Sequence, residues 1–245
     1  MAKQDFPNAE QEFVQQLKVN DKSSMVYMQL ASARARQKNF EGAEAVLKQG
    51  LDVIPGDDRL LTSLASLYAA QSELDKAAAV YQQGLAAAPD DPRLTLSLAG
   101  IRERQQQYDE AIAIYEQFLE KNPDNAIATN NLAALLSDHR TDEKSLARAK
   151  ELALKLAETR QPALLDTLGW VHYRLGEYDQ AADVLAGVVE QAPNVPVFRY
   201  HLGMTYYRQG DTRAAREILS GAVADNYKYP GVDEARRVYA ELAGD

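Results

Sequence analysis

Cysteine and long apolar runs are both missing from this sequence, and each absence removes a class of function. Without cysteine the chain forms no disulfide, holds no thiolate nucleophile and offers no cysteine ligand for zinc. No run of about 18 apolar residues occurs, so the sequence predicts no membrane-spanning helix. The opening residues, from Met1 to Asp5, contain no apolar targeting core, which predicts no signal peptide in the sequence as given.

Basic residues are too few to predict a nucleic-acid partner. Lys and Arg number 27 against 36 Asp and Glu, which gives a formal net charge of -9 and an isoelectric point near 5.0. A protein that binds nucleic acid needs a basic stripe to neutralise phosphates. The acidic residues here are dispersed along the chain, so the composition predicts a partner other than nucleic acid.

Signatures of catalysis are absent as well. The three histidines are His139, His172 and His201, and no two of them have the spacing of metal ligands on a helix. The sequence also lacks HExxH, GxxxxGK and GxSxG motifs, which mark zinc, phosphate and nucleophile sites. We therefore predict no catalytic residue, no metal and no cofactor, and a protein that is not an enzyme.

The chain does contain one unit that is repeated along most of its length. A leucine followed by Ala or Gly recurs with successive spacings of 34, 34, 34, 36 and 34 residues. These pairs begin at Leu30, Leu64, Leu98, Leu132, Leu168 and Leu202. A small residue follows in every unit, at Ala43, Ala77, Ala111, Ala149, Ala181 and Ala215. A fixed period of this size predicts stacked units and not one closed core.

Each unit is interpreted as two helices that form an antiparallel hairpin. In the fifth unit, Leu165, Leu168 and His172 lie on one face of a first helix, and Tyr178 and Ala181 begin the apolar face of a second. The small residue is needed where the two helices cross, because a larger side chain would push their axes apart.

Residues that end helices mark the boundaries of the units. Prolines close four of them, at Pro55, Pro89, Pro123 and Pro193, because proline has no amide hydrogen with which to continue a helix. The acidic pairs Asp57-Asp58 and Asp90-Asp91 follow two of these prolines and are predicted to cap the next helices.

These residues and their spacing resemble the tetratricopeptide repeat family. The resemblance implies an all-α fold, a right-handed superhelical α-solenoid of antiparallel helical hairpins, whose first helices line a concave groove that binds partner proteins. We expect a single solenoid over residues 1–245. Its repeats are expected at 24–57, 58–91, 92–125, 126–161, 162–195 and 196–229, followed by a capping helix at 230–243.

Two stretches depart from this regular pattern. Residues 8–20 are expected to form a lone second helix, which is either a natural N-terminal cap or the remnant of a longer array. The two extra residues of the fourth repeat are assigned to the stretch 137–144, between its helices. We expect that stretch to protrude as a tolerated surface insertion, in preference to a dedicated contact, because loops absorb added length at little cost.

The resemblance also assigns the residues that would contact a partner, since the family's groove residues lie at set distances from the Leu-Ala pair. The predicted partner-binding set is Asn130, Asp166, Trp170, Tyr173, Arg174, Tyr200, Met204, Tyr207 and Arg208. Trp, Tyr and Arg dominate the energetics of protein interfaces because they combine large area with polar or charged ends. The alternative is that some of these side chains pack between hairpins, and for Tyr200 and Met204 the two interpretations are equally balanced.

Two functions are compatible with these features. The first is a non-catalytic scaffold that binds a peptide or helix of another protein, and the alternative is a structural element that self-associates through its ends or convex face. The stretches 131–142 and 165–173 also resemble bacterial repeat proteins of exopolysaccharide export and envelope protein sorting. That narrower resemblance implies a bacterial source, a role in assembling an envelope or export complex, and an envelope-associated, periplasmic location over a cytoplasmic one.

Overall fold

A computed structural model of the protein describes residues 6–244, so residues 1–5 and 245 of the expected solenoid lie outside the described residues. Over this range the chain folds into 14 helices and contains no strand, which confirms the all-α prediction. The first seven are α1 (Phe6–Val19), α2 (Ser24–Arg36), α3 (Phe40–Val53), α4 (Asp58–Ala70), α5 (Leu74–Ala87), α6 (Pro92–Arg104) and α7 (Tyr108–Lys121). The other seven are α8 (Ala126–His139), α9 (Glu143–Leu154), α10 (Pro162–Arg174), α11 (Tyr178–Gln191), α12 (Pro196–Gln209), α13 (Thr212–Leu219) and α14 (Val232–Ala243).

The helices pack in consecutive pairs within two compact units, 1–118 and 119–245. In the first unit α2 packs on α3 and α4 on α5, and the pairs are joined by contacts of α3 with α4 and of α5 with α6. In the second unit the pairs are α8 with α9, α10 with α11 and α12 with α13, and α14 packs on both α12 and α13. Consecutive pairing of this kind is the arrangement of an α-solenoid.

Small residues lie where paired helices cross, as their spacing in the sequence predicts. The six repeated alanines, Ala43, Ala77, Ala111, Ala149, Ala181 and Ala215, are each 0% exposed. Glycine takes the small position of the first helix in the last two pairs. A Cβ atom on Gly169 would lie 2.5 Å from Leu185 Cγ, and one on Gly203 would lie 2.6 Å from Leu219 Cγ. At Gly169 and Gly203 the neighbouring leucines therefore leave no room for a methyl group.

Two helices that come first in their hairpins, α4 and α6, begin with an aspartate cap. Asp57 accepts hydrogen bonds from the amides of Arg59 and Leu60, and Asp91 does the same for Arg93 and Leu94. The prediction of helix caps is confirmed for these two aspartates. Each such cap satisfies amides that have no partner inside the helix, a contribution of about 1 kcal/mol.

The lone helix at the start of the chain is α1. Phe13 and Leu17 pack against the core of the first unit, and Glu10 forms an ion pair of 3.2 Å with Arg34 of α2. The helix therefore covers the side of α2 that the preceding hairpin would cover in a longer array. Both interpretations of residues 8–20 agree with these contacts.

The extra length of the fourth repeat is placed differently from the sequence-based expectation. Most of the stretch 137–144 is helical, because α8 continues to His139 and α9 begins at Glu143. The carboxylate of Asp142 accepts from the amide of Ser145 and caps the start of α9, so only residues 140–142 separate the two helices. The longer connection instead follows α9 and covers residues 155–161, whereas the corresponding connection in the fifth repeat covers only 192–195.

Candidate functional site

The candidate site lies on the row of first helices in the second unit. In this row α10 contacts α8 on one side and α12 on the other, and α14 continues the row beyond α12. Because residues of neighbouring helices meet across this row, side chains that are 32 to 36 positions apart in sequence form hydrogen bonds with each other. All nine predicted partner-binding residues belong to α8, α10 and α12.

Trp170, the only tryptophan of the chain, is the centre of an aromatic cluster. Its ring stacks on Tyr173 at a centroid distance of 4.4 Å and on His201 at 4.1 Å, with interplanar angles of 9° and 21°. Two near-parallel rings at such distances are too wide to share one face of an indole, so they cover both faces. The indole therefore presents its rim, and not its π face, to solvent.

Asp138 holds the polar edge of the indole in place. Its Oδ1 accepts a hydrogen bond of 2.8 Å from Trp170 Nε1 and a longer one of 3.4 Å from Arg174 Nη1. The aspartate side chain is 43% exposed, so this contact is open to competition from solvent or a partner. Asp138 stands in the last turn of α8 and ties that helix to α10.

Asp166 is buried and is committed to a partner on the next helix. Both of its carboxylate oxygens lie 2.9 Å from Nδ1 of His201. A carboxylate only accepts, so His201 donates through its Nδ1 hydrogen. The carboxylate thus orients the same imidazole that stacks on Trp170, which makes Asp166 a positioning residue for the cluster.

Tyr200 and Met204 lie in the packing between α12, α13 and α14. Tyr200 is 3% exposed and Met204 is 2% exposed, and both belong to a core that includes Leu219 and Val238. The Tyr200 hydroxyl donates to Glu234 of α14 at 2.7 Å. Burial, followed by the hydrogen bond and charge of Glu234, raises the pKa of Tyr200. In the isolated chain these two side chains therefore pack between helices.

Tyr207 and Arg208 lie at the more open end of α12. The Tyr207 hydroxyl donates to Glu241 of α14 at 2.8 Å, and the hydrogen bond raises the pKa of Tyr207. The guanidinium of Arg208 lies 5.2 Å from the centre of the Tyr178 ring, within the range of a cation–π contact. Arg208 is exposed, and its charge opposes the rise that burial causes in the pKa of Tyr173.

Asn130, on α8, carries an acceptor that has no partner among the described residues. Its Nδ2 donates to Asn131 Oδ1 at 3.3 Å, whereas its own Oδ1 is buried and makes no hydrogen bond. An unpaired buried acceptor costs about 1–3 kcal/mol. In the isolated chain this oxygen is an acceptor without a partner, and a donor could reach it only if the Asn130 side chain turned outward.

The groups at this site are of the kinds that recognise a partner. Indole and phenol rims, arginine donors and an amide acceptor are held by fixed contacts, while the one buried carboxylate is bound to a histidine. Over the described residues, no group of three or more His, Cys, Asp or Glu side chains is placed to hold a metal ion. Within the same range, none of the helices has the length and apolar character needed to cross a membrane.

Three residues of the cluster were missed by sequence reasoning. His201, Glu234 and Glu241 belong to the site's contacts but not to the predicted set. The repeat register contained a signal for both glutamates, because Glu234 and Glu241 stand 34 positions after Tyr200 and Tyr207.

Comparison with known proteins identifies the repeat. Models of the tetratricopeptide repeat match residues 28–92, 62–126, 96–162 and 172–239. No curated protein matches the sequence.

Solved structures similar to this chain include other repeat proteins. A tetratricopeptide repeat protein from Parabacteroides merdae is 14% identical with a TM-score of 0.71, over 96% of this chain and 88% of that one. PilW, a type IV pilus biogenesis factor, is 17% identical with a TM-score of 0.67, over 87% and 98%. YrrB, described as having an unusual peptide-binding site, is 15% identical with a TM-score of 0.50, over 96% and 100%. Identities this low establish the fold alone.

Proposed function

The chain belongs to the tetratricopeptide repeat family, whose members are protein–protein interaction scaffolds, and on that premise we propose that it binds a peptide or helix of a partner protein on the α8–α10–α12 row. The proposed binding surface consists of the Trp170 rim, Arg174, Tyr207 and Arg208, together with the half-buried Asn130. The proposed role is non-catalytic.

The unpaired Oδ1 of Asn130 is the observation that most supports a ligand on this row. A peptide carries one amide donor per residue, and such a donor would satisfy the acceptor and remove its desolvation cost once the Asn130 side chain turned toward the surface. The acceptor and the Trp170 rim lie on neighbouring helices, α8 and α10, which contact each other. An extended segment that crosses these helices would meet both.

Preorganisation also supports a binding role for the aromatic cluster. Trp170 is fixed by two stacked rings and by Asp138, so little side-chain freedom is left to lose on binding. Ordering a flexible side chain at an interface costs about 0.5–1.5 kcal/mol, which a fixed side chain avoids. Tyr and Trp held in this way are the usual anchors of interfaces.

The proposal is tested by selecting peptides from a random library on the full chain and then titrating them. Because the chain has one tryptophan, a peptide that binds this row should change the emission of Trp170 directly. Replacing Tyr207 and Arg208 together by alanine should weaken binding at least about tenfold, since each anchor contributes about 1 kcal/mol or more. Helical circular dichroism should be unchanged.

Arg36→Ala is the matched control, because Arg36 is an exposed arginine at the same register position as Arg208 but in the first unit. It should leave the affinity unchanged. Peptides that bind equally well to the Tyr207/Arg208 variant, without any effect on Trp170 emission, would contradict the proposed row as the binding surface.

Self-association remains the competing function, and light scattering separates the two. A scaffold for another protein should be a monomer whose mass is independent of concentration. A mass that rises with concentration would favour the self-assembling alternative.

The proposed setting is the assembly of a bacterial envelope or export complex. It is supported by the resemblance of the stretches 131–142 and 165–173 to repeat proteins of such systems. Fractionation of the source cell, followed by detection of the full-length protein in soluble and envelope fractions, tests this setting.

A further inference from the structure

A separate concave site lies between α13, the second helix of the last hairpin, and α14, away from the α8–α10–α12 row. Its volume is about 560 Å³. It is lined by Thr212, Arg213, Arg216, Glu217, Ser220, Tyr239 and Leu242. Ligand sites in proteins have volumes of about 300–1,000 Å³, so this one is large enough for a small ligand or for a side chain of a partner.

Two arginines in this site have no partner of their own. Arg213 and Arg216 are exposed, and neither guanidinium group forms a hydrogen bond or an ion pair with any of the described residues. Residues three apart on a helix lie on the same face with Cβ atoms about 5–6 Å apart, so both guanidinium groups reach the same space. Most other arginines of the second unit are engaged, as Arg236 is with the backbone carbonyls of Ala224 and Asp225.

Two hydroxyl groups add further donors to the same wall. Neither the Thr212 nor the Tyr239 hydroxyl forms a hydrogen bond with the rest of the described chain. Ser220 is different, because its hydroxyl already donates to the carbonyl of Glu217 at 2.6 Å. Glu217 is the one acidic side chain among the lining residues. Free donors and positive charge therefore outnumber acceptors in a protein whose net charge is -9.

We propose that this site, the α13–α14 pocket, binds an oxyanion group, either a phosphate monoester or a carboxylate, carried by a ligand that fills the rest of the pocket. Guanidinium groups bind both oxyanions through two parallel N–H···O bonds, and hydroxyl donors complete the shell. The Tyr239 ring and Leu242 offer an apolar wall to the body of the ligand. The carboxylate of Glu217 would accept from a hydroxyl or ammonium group of the same ligand. The proposal is independent of peptide binding on the α8–α10–α12 row.

The experiment is an NMR titration of the ¹⁵N-labelled full chain with inorganic phosphate, O-phosphoserine and succinate in separate arms, at constant ionic strength. We expect saturable shifts of the amide and side-chain Nε signals of Arg213 and Arg216. Saturation by the phosphate compounds alone assigns the site to phosphate esters, and saturation by succinate as well assigns it to oxyanions in general. Shifts that rise linearly in all three arms overturn the proposal.

Two variants show whether the arginines are responsible. Arg213→Gln combined with Arg216→Gln should weaken the apparent affinity at least about tenfold, because it removes both charge-assisted donors. Arg36→Gln removes an exposed arginine that has no partner in the first unit and should leave the titration unchanged. Equal affinity of the double variant and the wild type also overturns the proposal. Matching melting curves in the absence of anion show that both variants fold.

Discussion

Replacing Gly231 by alanine should destabilise the second unit through a clash with Tyr200. Gly231 precedes α14 with a φ of +92°, and a Cβ atom there would lie 2.4 Å from Cε1 and Cζ of the Tyr200 ring. That ring cannot move freely, because it packs against Tyr229 and its hydroxyl is bound to Glu234. The substitution therefore forces either the ring or the whole of α14 to shift.

Two terms make up the expected cost. An alanine in the left-handed region costs about 1–2 kcal/mol, and overpacking a filled core costs about 1–3 kcal/mol. The free energy of unfolding should thus fall by about 2–5 kcal/mol. Gly210→Ala separates the terms, because Gly210 has a similar φ of +83° but no atom within 4 Å of its Cβ position. That control should lose about 1–2 kcal/mol, the backbone term alone.

The assay is urea unfolding followed through Trp170 emission. The ring centroids of Trp170 and Tyr200 are 5.6 Å apart, so the indole reports on the same unit. Combining Gly231→Ala with Tyr200→Ala tests the cause, because removing the ring gives the new methyl group space. The cost of Gly231→Ala should then fall to that of Gly210→Ala. Equal costs of the two glycine substitutions in the wild-type background would refute the clash.

Three further predictions follow from the same contacts. Gly187→Ala in α11 should raise the free energy of unfolding by about 0.5–1 kcal/mol, because the added Cβ would have no neighbour within 4 Å. Gly169→Ala should instead lower the melting temperature, because the added Cβ overpacks Leu185. The pKa of Tyr200 is raised on folding, so its stabilising effect is complete below about pH 10 and is lost as the pH rises above that value. Tyr200→Phe should therefore flatten the loss of stability in alkaline titrations followed by circular dichroism, and an unchanged pH profile would contradict this. Asp138→Ala should shift the emission maximum of Trp170 because the indole N–H loses its acceptor, with helix content unchanged.

The fold could be predicted from the sequence because the signal for it is repeated. An alanine such as Ala111 says little alone, but a small residue that recurs in all six units defines where two helices cross, and all six alanines are fully buried. The fourth repeat was harder, because a count of residues shows that two have been added but not where. In the structure three residues separate α8 from α9, as they separate α10 from α11, and the longer connection follows α9.

The candidate site was predictable in position but not in its contacts. Register places Trp170 on the correct face of α10, yet it does not show that Tyr173 and His201 cover both sides of the ring. Burial of Tyr200 depends on α14, which follows after an irregular segment, 220–231, that no repeat pattern describes. Side-chain partners across helices are set by rotamers and by neighbouring volumes, which a single sequence does not specify.

The long connection after α9 has a practical consequence for labelling this protein. Residues 157, 158, 160 and 161 are exposed, and the segment joins two helices that are held by packing on either side of it. Exposed connections of this kind accept inserted sequence without loss of the surrounding fold. A fluorophore, an epitope or a small reporter domain placed in this segment would mark the protein in cells and leave both the α8–α10–α12 row and the α13–α14 pocket unaltered.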